Sequence, residues 1–306
     1  MDYKLLKQLC QVQAPSGSES QMTTFLLDYI KANKKRWKVK PKILAGNKYQ
    51  DCIMLVFGKP SIAAFAHMDS IGFTVAYDNK LIPIGGPEAE TGYELIGHDS
   101  HGLIETKLVF DEKEQYLVCD AKRRLDRGTT LTFKCDFIET DSSVQSCYLD
   151  NRLGVFAMLQ VCETLENGIV VFSCYEEHGG GTVPFLVRYL WEQYKIRKTL
   201  IADITWVTAG VQPGAGVAIS LRDSRIPRKK YLDKIVSIAE NAGIKYQLEV
   251  EGAGGSDGRE IQNAPYPIDW CFIGAAEENV HSPNEKVHKD DIEEMVRLYE
   301  LLFKEL

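Results

Sequence analysis

The rhythm of hydrophobic positions changes twice along the chain, and each change marks a different kind of structure. Near the N-terminus it predicts a helix, a polar "PSGSES" break and a second helix. In "SESQMTTFLLDYIKAN", Met22, Phe25, Leu26 and Ile30 recur on one apolar face, and Ser18 or Ser20 is placed to cap the start. Two apolar runs follow, "DCIMLVFG" and "SIAAFAH". Both read as sheet strands, the second reaching His67.

From about Ser70 to Cys147 the runs become short and alternating, as in "GFTVAY", "HGLIETKLVF", "QYLVCDA" and "TTLTFKCDF", with Gly, Asn and Asp turns between them. No helical period occurs there, which predicts a small all-β unit. After Asp150 helices and strands alternate. "NRLGVFAMLQVCETLENG" is apolar nearly all round, so it reads as a buried helix stopped by Gly168. "IVVFSCY", "KTLIADIT", "GVAISL", "YQLEVE" and "PIDWCFIG" read as strands. "VPFLVRYLWEQY", "KKYLDKIVSIAENAG" and a last segment carrying Ile292, Met295, Val296, Tyr299 and Leu302 read as helices.

Strands buried on both faces and alternating with helices specify an α/β fold. The expectation is a mostly parallel or mixed central sheet flanked by helices, with a small barrel-like all-β domain inserted in it. Residues 1–69 and 148–306 would form the α/β domain and residues 70–147 the insertion.

Composition narrows the function. The 306 residues are 44% hydrophobic and 26% charged, with no biased tract, which suits a soluble protein with a real core. The formal charge of −7 argues against a nucleic-acid partner. The basic pieces "KANKKRWKVKPK" and "RIPRKK" are short and read as solvated faces. No run approaches the roughly 20 apolar residues of a bilayer span. No basic-then-apolar leader opens the chain. No membrane partner is therefore expected. The eight cysteines form no C-x-x-C pair, and several sit in apolar runs, as buried thiols of a cytoplasmic protein do.

Candidate chemistry gathers where predicted strands end: His67 and Asp69, Asp150, Glu176 and Glu177, Asp203, and His281. Singly, each has an ordinary explanation, such as a helix cap for Asp150 or a solvated loop for the paired glutamates. Jointly, carboxylates crowded at one sheet edge repel unless a cation neutralises them. Imidazole and carboxylate donors suit Zn²⁺ and related divalent ions. Two ions about 3.5–4 Å apart would share one bridging carboxylate and take two further ligands each. Two histidines and three acids satisfy that count and leave one glutamate as a base, although the count does not say which.

Other motifs are weaker. "GHDSHG" gives His98 and His101 H-x-x-H spacing, but on a Gly-flanked turn that does not align the pair. "GAGGSDG" fails the phosphate-loop pattern because Asp257 takes the last glycine position, and it reads as a close backbone approach instead. Cys174 lies inside an apolar strand, where a thiol is usually inert.

"AHMDSIGF", "YLDNRLG", "CYEEHGG", "IADIT", "GAGGSDG" and "NVHSP" follow one another in this order. Together they resemble the M42 family of metalloaminopeptidases, the glutamyl aminopeptidase or TET-like branch of a wider group of di-metal exopeptidases that includes M20 and M28. The resemblance runs from "APSGSE" to the last helix. It implies hydrolysis of N-terminal residues from peptides by water activated between two divalent ions per chain, Zn²⁺ first, with Co²⁺ or Mn²⁺ as alternatives. Carried over, Asp150 is the bridging ligand, His67 and Asp203 complete one metal, and Glu177 and His281 complete the other. Glu176 is the general acid and base, Asp69 orients the His67 ring, and the Asp150–Asn151 bond is cis.

The insertion matches the family's second domain, which covers the active-site mouth and helps assemble oligomers, so a homo-oligomer, dimer or larger, is implied. Three features depart from the family pattern: a short insertion, "MDS" where "MDE" is usual, and His178 after the glutamates. For the side-chain pocket, the loops around Pro213, Ser224 and Arg225 are the candidates. The competing readings are a di-metal amidohydrolase acting on a small amide such as an N-acyl amino acid, and a non-catalytic protein that keeps the fold.

Overall fold

The computed structural model describes residues 1–306. Helices α1 (Lys4–Cys10) and α2 (Ser20–Asn33) lead into strands β1 (Lys42–Leu44), β2 (Ile53–Phe57) and β3 (Ala63–His67). Met22, Leu26 and Ile30 bury the predicted face of α2. Neither serine caps it. Glu19 occupies the cap position, and its carboxylate accepts from the Gly17 N–H at 2.9 Å instead.

Six strands then close into a barrel in the order β4-β5-β8-β7-β6-β9. They are β4 (Gly72–Val75), β5 (Lys80–Ile84), β6 (Glu94–Asp99), β7 (Gly102–Asp111), β8 (Tyr116–Cys119) and β9 (Thr130–Phe133). Closure leaves no free edge, and Phe73, Leu95, Leu108, Leu131 and Phe133 fill a separate small core. The chain has left the barrel by β10 (Ile138–Glu139) and β11 (Ser143–Ser146). These two strands fall inside the 70–147 stretch, yet β11 pairs with a strand of the large sheet.

The remainder runs α3 (Leu149–Thr164), β12 (Gly168–Ser173), α4 (Val183–Tyr194), β13 (Thr199–Trp206), β14 (Val217–Arg222), α5 (Lys229–Asn241) and β15 (Tyr246–Val250). It ends with α6 (Asp257–Asn263), β16 (Phe272–Glu278), β17 (Glu285–His288) and α7 (Lys289–Glu305). Two boundaries differ from the sequence reading. Helix α3 stops at Thr164, where Leu165 turns extended, and Gly168 begins β12 rather than ending the helix. Strand β16 continues through "AAEE", read as loop, because pairing with β13 extends to Glu277.

The large sheet is mixed and has 11 strands. Its centre, β12-β3-β13-β16, is parallel, and β2, β14 and β17 flank it antiparallel. Every residue of β2, β3 and β12 is buried, which explains their unbroken apolar runs. The parallel centre sends the C-terminal ends of β3, β12, β13 and β16 to the same edge, the place where α/β sheets collect functional groups. No helix is long and apolar enough to cross a membrane.

Candidate metal centre

At that edge, residues far apart in sequence converge. His67 is the last residue of β3, Asp203 lies on β13, Asp150 sits in the first turn of α3, Glu177 follows β12, and His281 lies between β16 and β17. They form two groups of possible ligands, His67–Asp150–Asp203 and Asp150–Glu177–His281. His67 Nε2 stands 3.2 Å from Asp150 Oδ1 and 3.5 Å from Asp203 Oδ2. His281 Nε2 stands 3.3 Å from Asp150 Oδ2 and 3.3 Å from Glu177 Oε2. Ligands around a tetrahedral zinc at about 2.0–2.1 Å stand roughly 3.3–3.4 Å from one another. Each triad therefore has the spacing of a ligand set, and Asp150 offers one oxygen to each.

The charges also call for cations. Burial and the Asp150 charge push the Glu177 carboxyl up to about 7. Burial, reinforced by Asp150 and opposed by His67, pushes Asp203 up to about 6. His281 goes the other way: burial disfavours its charged form, but Asp150 and Glu177 raise it to about 12. Without metal, protons supply the positive charge that these lone pairs require. Glu177 Oε1 is buried with no hydrogen-bond partner. Two imidazoles and three carboxylates, one of them orphaned, fit divalent ions of the zinc class.

Asp69 holds the site from behind. It accepts from Ser16 Oγ at 2.5 Å and from the Glu176 and Glu177 N–H groups, both at 3.2 Å. His67 Nδ1 lies 3.4 Å from Asp69 Oδ1, close but outside hydrogen-bond geometry. Burial opposes ionisation of Asp69, but His67 and these donors outweigh it and hold the carboxyl below its usual range. Arg152, fully buried, donates to the carbonyls of Met68 and of Asp69 (3.1 Å), which fixes the strap after β3. Asn151 donates to the Ala202 carbonyl at 2.9 Å and ties α3 to β13, and the Asp150–Asn151 bond is cis.

The barrel reaches the centre as well. His281 Nδ1 lies 3.0 Å from the Gly86 carbonyl. A proton donated there leaves Nε2 free to face the carboxylates. The Gly85 N–H donates to His178 Nδ1 at 3.1 Å, so His178 ties the loop after β12 to the barrel.

Sequence reasoning missed several buried acids around this centre. Glu285 accepts from the Asp150 N–H at 3.2 Å and the His281 N–H at 3.0 Å, seating both residues. Glu277 is buried with neither oxygen hydrogen-bonded. Asp257 is buried and accepts from Ser173 Oγ at 2.5 Å. Glu277 was read as loop and Glu285 lies on a four-residue strand, so neither showed a periodic pattern.

Glu176 lines a cavity of about 330 Å³ that opens beside the two triads. Thr205, Trp206, Asp223, Glu249 and Glu251 line it farther out. Of the expected pocket loops, Pro213, Ser224 and Arg225 do not line it, although Asp223 does. His98 and His101 are exposed at the β6–β7 turn and belong to no ligand group. Contact with Cys52 and burial push the Cys174 thiol far up, so it is no nucleophile.

Comparison with known proteins agrees with this fold. The model of the M42 glutamyl aminopeptidase family matches residues 108–298. A protein of Acetivibrio thermocellus described as "Putative aminopeptidase" is 26% identical over 333 residues, covering 97% of this chain and 96% of that one. An aminopeptidase from Desulfurococcus kamchatkensis superposes with a TM-score of 0.86 at 22% identity, covering 99% of this chain and 94% of its own. The Pyrococcus horikoshii TET1 peptidase, which can assemble into a tetrahedron or a large octahedral shell, gives a TM-score of 0.83 at 23% identity and covers 99% of both chains.

Proposed function

The chain belongs to the M42 glutamyl aminopeptidase family, and from that premise we propose that it is a two-metal aminopeptidase. His67, Asp203 and Asp150 would hold one divalent ion, and Glu177, His281 and Asp150 the other. The observation that carries this reading is the placement of Asp150, with one carboxylate oxygen in each triad. When bound, the ions supply Lewis acidity toward a water and the scissile carbonyl. Zn²⁺ is the first candidate, with Co²⁺ and Mn²⁺ as alternatives, since N/O donors without thiolate discriminate poorly among them.

The chain's own residues do the rest. Burial, with Asp203 and Asp257 adding to it and His67 opposing, pushes the Glu176 carboxyl well above the usual range. Such a group can take a proton from the attacking water, hold it, and give it to the leaving amine. Asp69 keeps Glu176 and Glu177 in register through their N–H groups and seats the His67 ring. The acidic surroundings favour a free α-ammonium, which restricts attack to the terminal residue.

The working unit we propose is residues 1–69 with 148–306, completed by the sheet strands β10 and β11, with the barrel of β4 to β9 from the 70–147 insertion covering the mouth through the Gly85–Gly86 loop. We also propose a cytoplasmic homo-oligomer, dimer or larger. Supporting this, β15 pairs only with β14 and exposes Leu248 and Val250 along that edge.

The test is a panel of amino-acid p-nitroanilides beside N-acetyl amino acids, following nitroaniline released from the first and free amino acid from the second. The metal-loaded protein is expected to cleave only those with a free amine, and chelation to abolish this. Glu176→Gln should lower kcat by about 10²–10⁴-fold with metal content unchanged. Full activity in that variant would remove Glu176 from the mechanism, and preference for acylated amino acids would favour an amidohydrolase.

A further inference from the structure

Beyond the two triads the cavity keeps its acidic character, for no reason that the metal centre supplies. Asp223 follows β14, Glu249 lies on β15 and Glu251 follows β15, and all three line the cavity. Glu249 is only 4% exposed, yet its one hydrogen bond in the structure comes from Thr205 Oγ1 to Oε1. The one further donor beside it is the buried Ser220 hydroxyl. No lysine, arginine or histidine forms an ion pair with Asp223, Glu249 or Glu251, although the charges of Arg225 and Arg222 act on Asp223 and oppose the effect of its burial. Outside the two histidines, the one basic side chain lining the cavity is Arg259, and its Nε is paired with Glu260 at 2.8 Å. Burial raises the Glu249 carboxyl, the neighbouring hydroxyls of Ser220 and Thr205 pull it down, and Asp223 and Glu251 raise it further.

A buried carboxylate without a counter-ion is costly, and a cation brought by a ligand removes that cost. Thr205 links this acid to the centre, since it lies two residues beyond Asp203 on β13. Two residues of strand span about 6.7 Å, which is comparable to the reach of lysine's four-carbon stem. Trp206, 51% exposed, and Phe272 line the same cavity and give such a stem an apolar wall.

We propose that Glu249, with Asp223 and Glu251, forms a side-chain pocket that selects peptides beginning with a basic residue, lysine or arginine. This rests on the aminopeptidase reading above and narrows it. An acidic N-terminal residue would place a fourth carboxylate in the pocket, where the one lining arginine, Arg259, already shares its charge with Glu260 through Nε. Like-charge contact of that kind excludes a ligand more firmly than lost packing does.

The experiment compares kcat/KM of the metal-reconstituted full chain on the p-nitroanilides of lysine, arginine, leucine and glutamate. The expected result is at least tenfold preference for lysine and arginine over leucine, and glutamate poorer still. Glu249→Gln should lower the lysine-to-leucine ratio tenfold or more. Glu251→Gln, at a half-buried side chain with no hydrogen bonds, should lower it severalfold and serves if the first variant fails to fold. Leucine or glutamate cleaved as well as lysine would overturn the pocket while leaving the aminopeptidase reading intact. An equal loss on all substrates in Glu249→Gln would also overturn it, by assigning the carboxylate to the shared α-ammonium. No cleavage of any free-amine substrate by fully loaded protein would end both readings.

Discussion

Asp69 shows how much one side chain contributes at this centre. Its oxygens meet Ser16 Oγ, the Glu176 and Glu177 N–H groups and the His67 ring edge, so it fixes one candidate ligand and the loop bearing another. Asn in its place keeps the shape but replaces an oxygen with an N–H₂ group, which faces donors. Asp69→Asn is expected to weaken metal affinity by about 10–100-fold, measured by competition with a chelator, while leaving secondary structure intact. Unchanged affinity would show that the His67 ring is held by packing alone. The carboxylate was legible in the sequence as a partner for His67. Its hold on the glutamate loop was not, because backbone donors leave no mark in residue identity.

Among the elements, the join between α3 and β13 sets the distance between Asp150 and Asp203. A Cβ on Gly154 would lie 2.2 Å from the Ala202 carbonyl oxygen, the group that also accepts from Asn151. Helix and strand are as close there as backbones can come. Gly154→Ala must push them apart, so we expect a stability loss of about 1–3 kcal/mol by denaturant titration, together with substoichiometric metal binding. Wild-type values on both counts would mean that the join does not set the site. At this scale the sequence was most readable where periodicity was strong. The α2 face, the unbroken apolar runs of β2, β3 and β12, and the amphipathic α7 all follow their patterns. It was least readable where tertiary pairing overrides local signals. Strand β16 runs on through "AAEE" because β13 offers partners, and β17 is too short to show a period.

For the molecule as a whole, the parallel sheet centre gathers like charges that only a cation can reconcile, and this links stability to pH and metal. In the metal-free chain, Asp203 and Glu177 titrate near 6 and 7 when folded but at ordinary carboxylate values when unfolded. Raised carboxyls destabilise the fold increasingly as pH climbs from about 4 through 7. His281, raised to about 12, contributes stability below its unfolded value of 6.5 and loses it progressively above. Both effects have the same sign, so the Tm of the metal-free protein is expected to fall between pH 5 and pH 8. Bound ions should flatten that slope, since they stabilise the native state by mass action. The same slope with and without metal would mean that these acids are not the ones the ions neutralise.

The most direct measurement of the central claim is a titration of metal-free protein with Zn²⁺ or Co²⁺, following bound ions per chain and aminopeptidase activity together. Two shared triads predict saturation at two ions per chain, with activity appearing as they fill, and Asp150→Asn weakening both sites at once. Saturation below two ions, full activity in chelator, or loss of only one site in the Asp150 variant would contradict the shared, bridged centre.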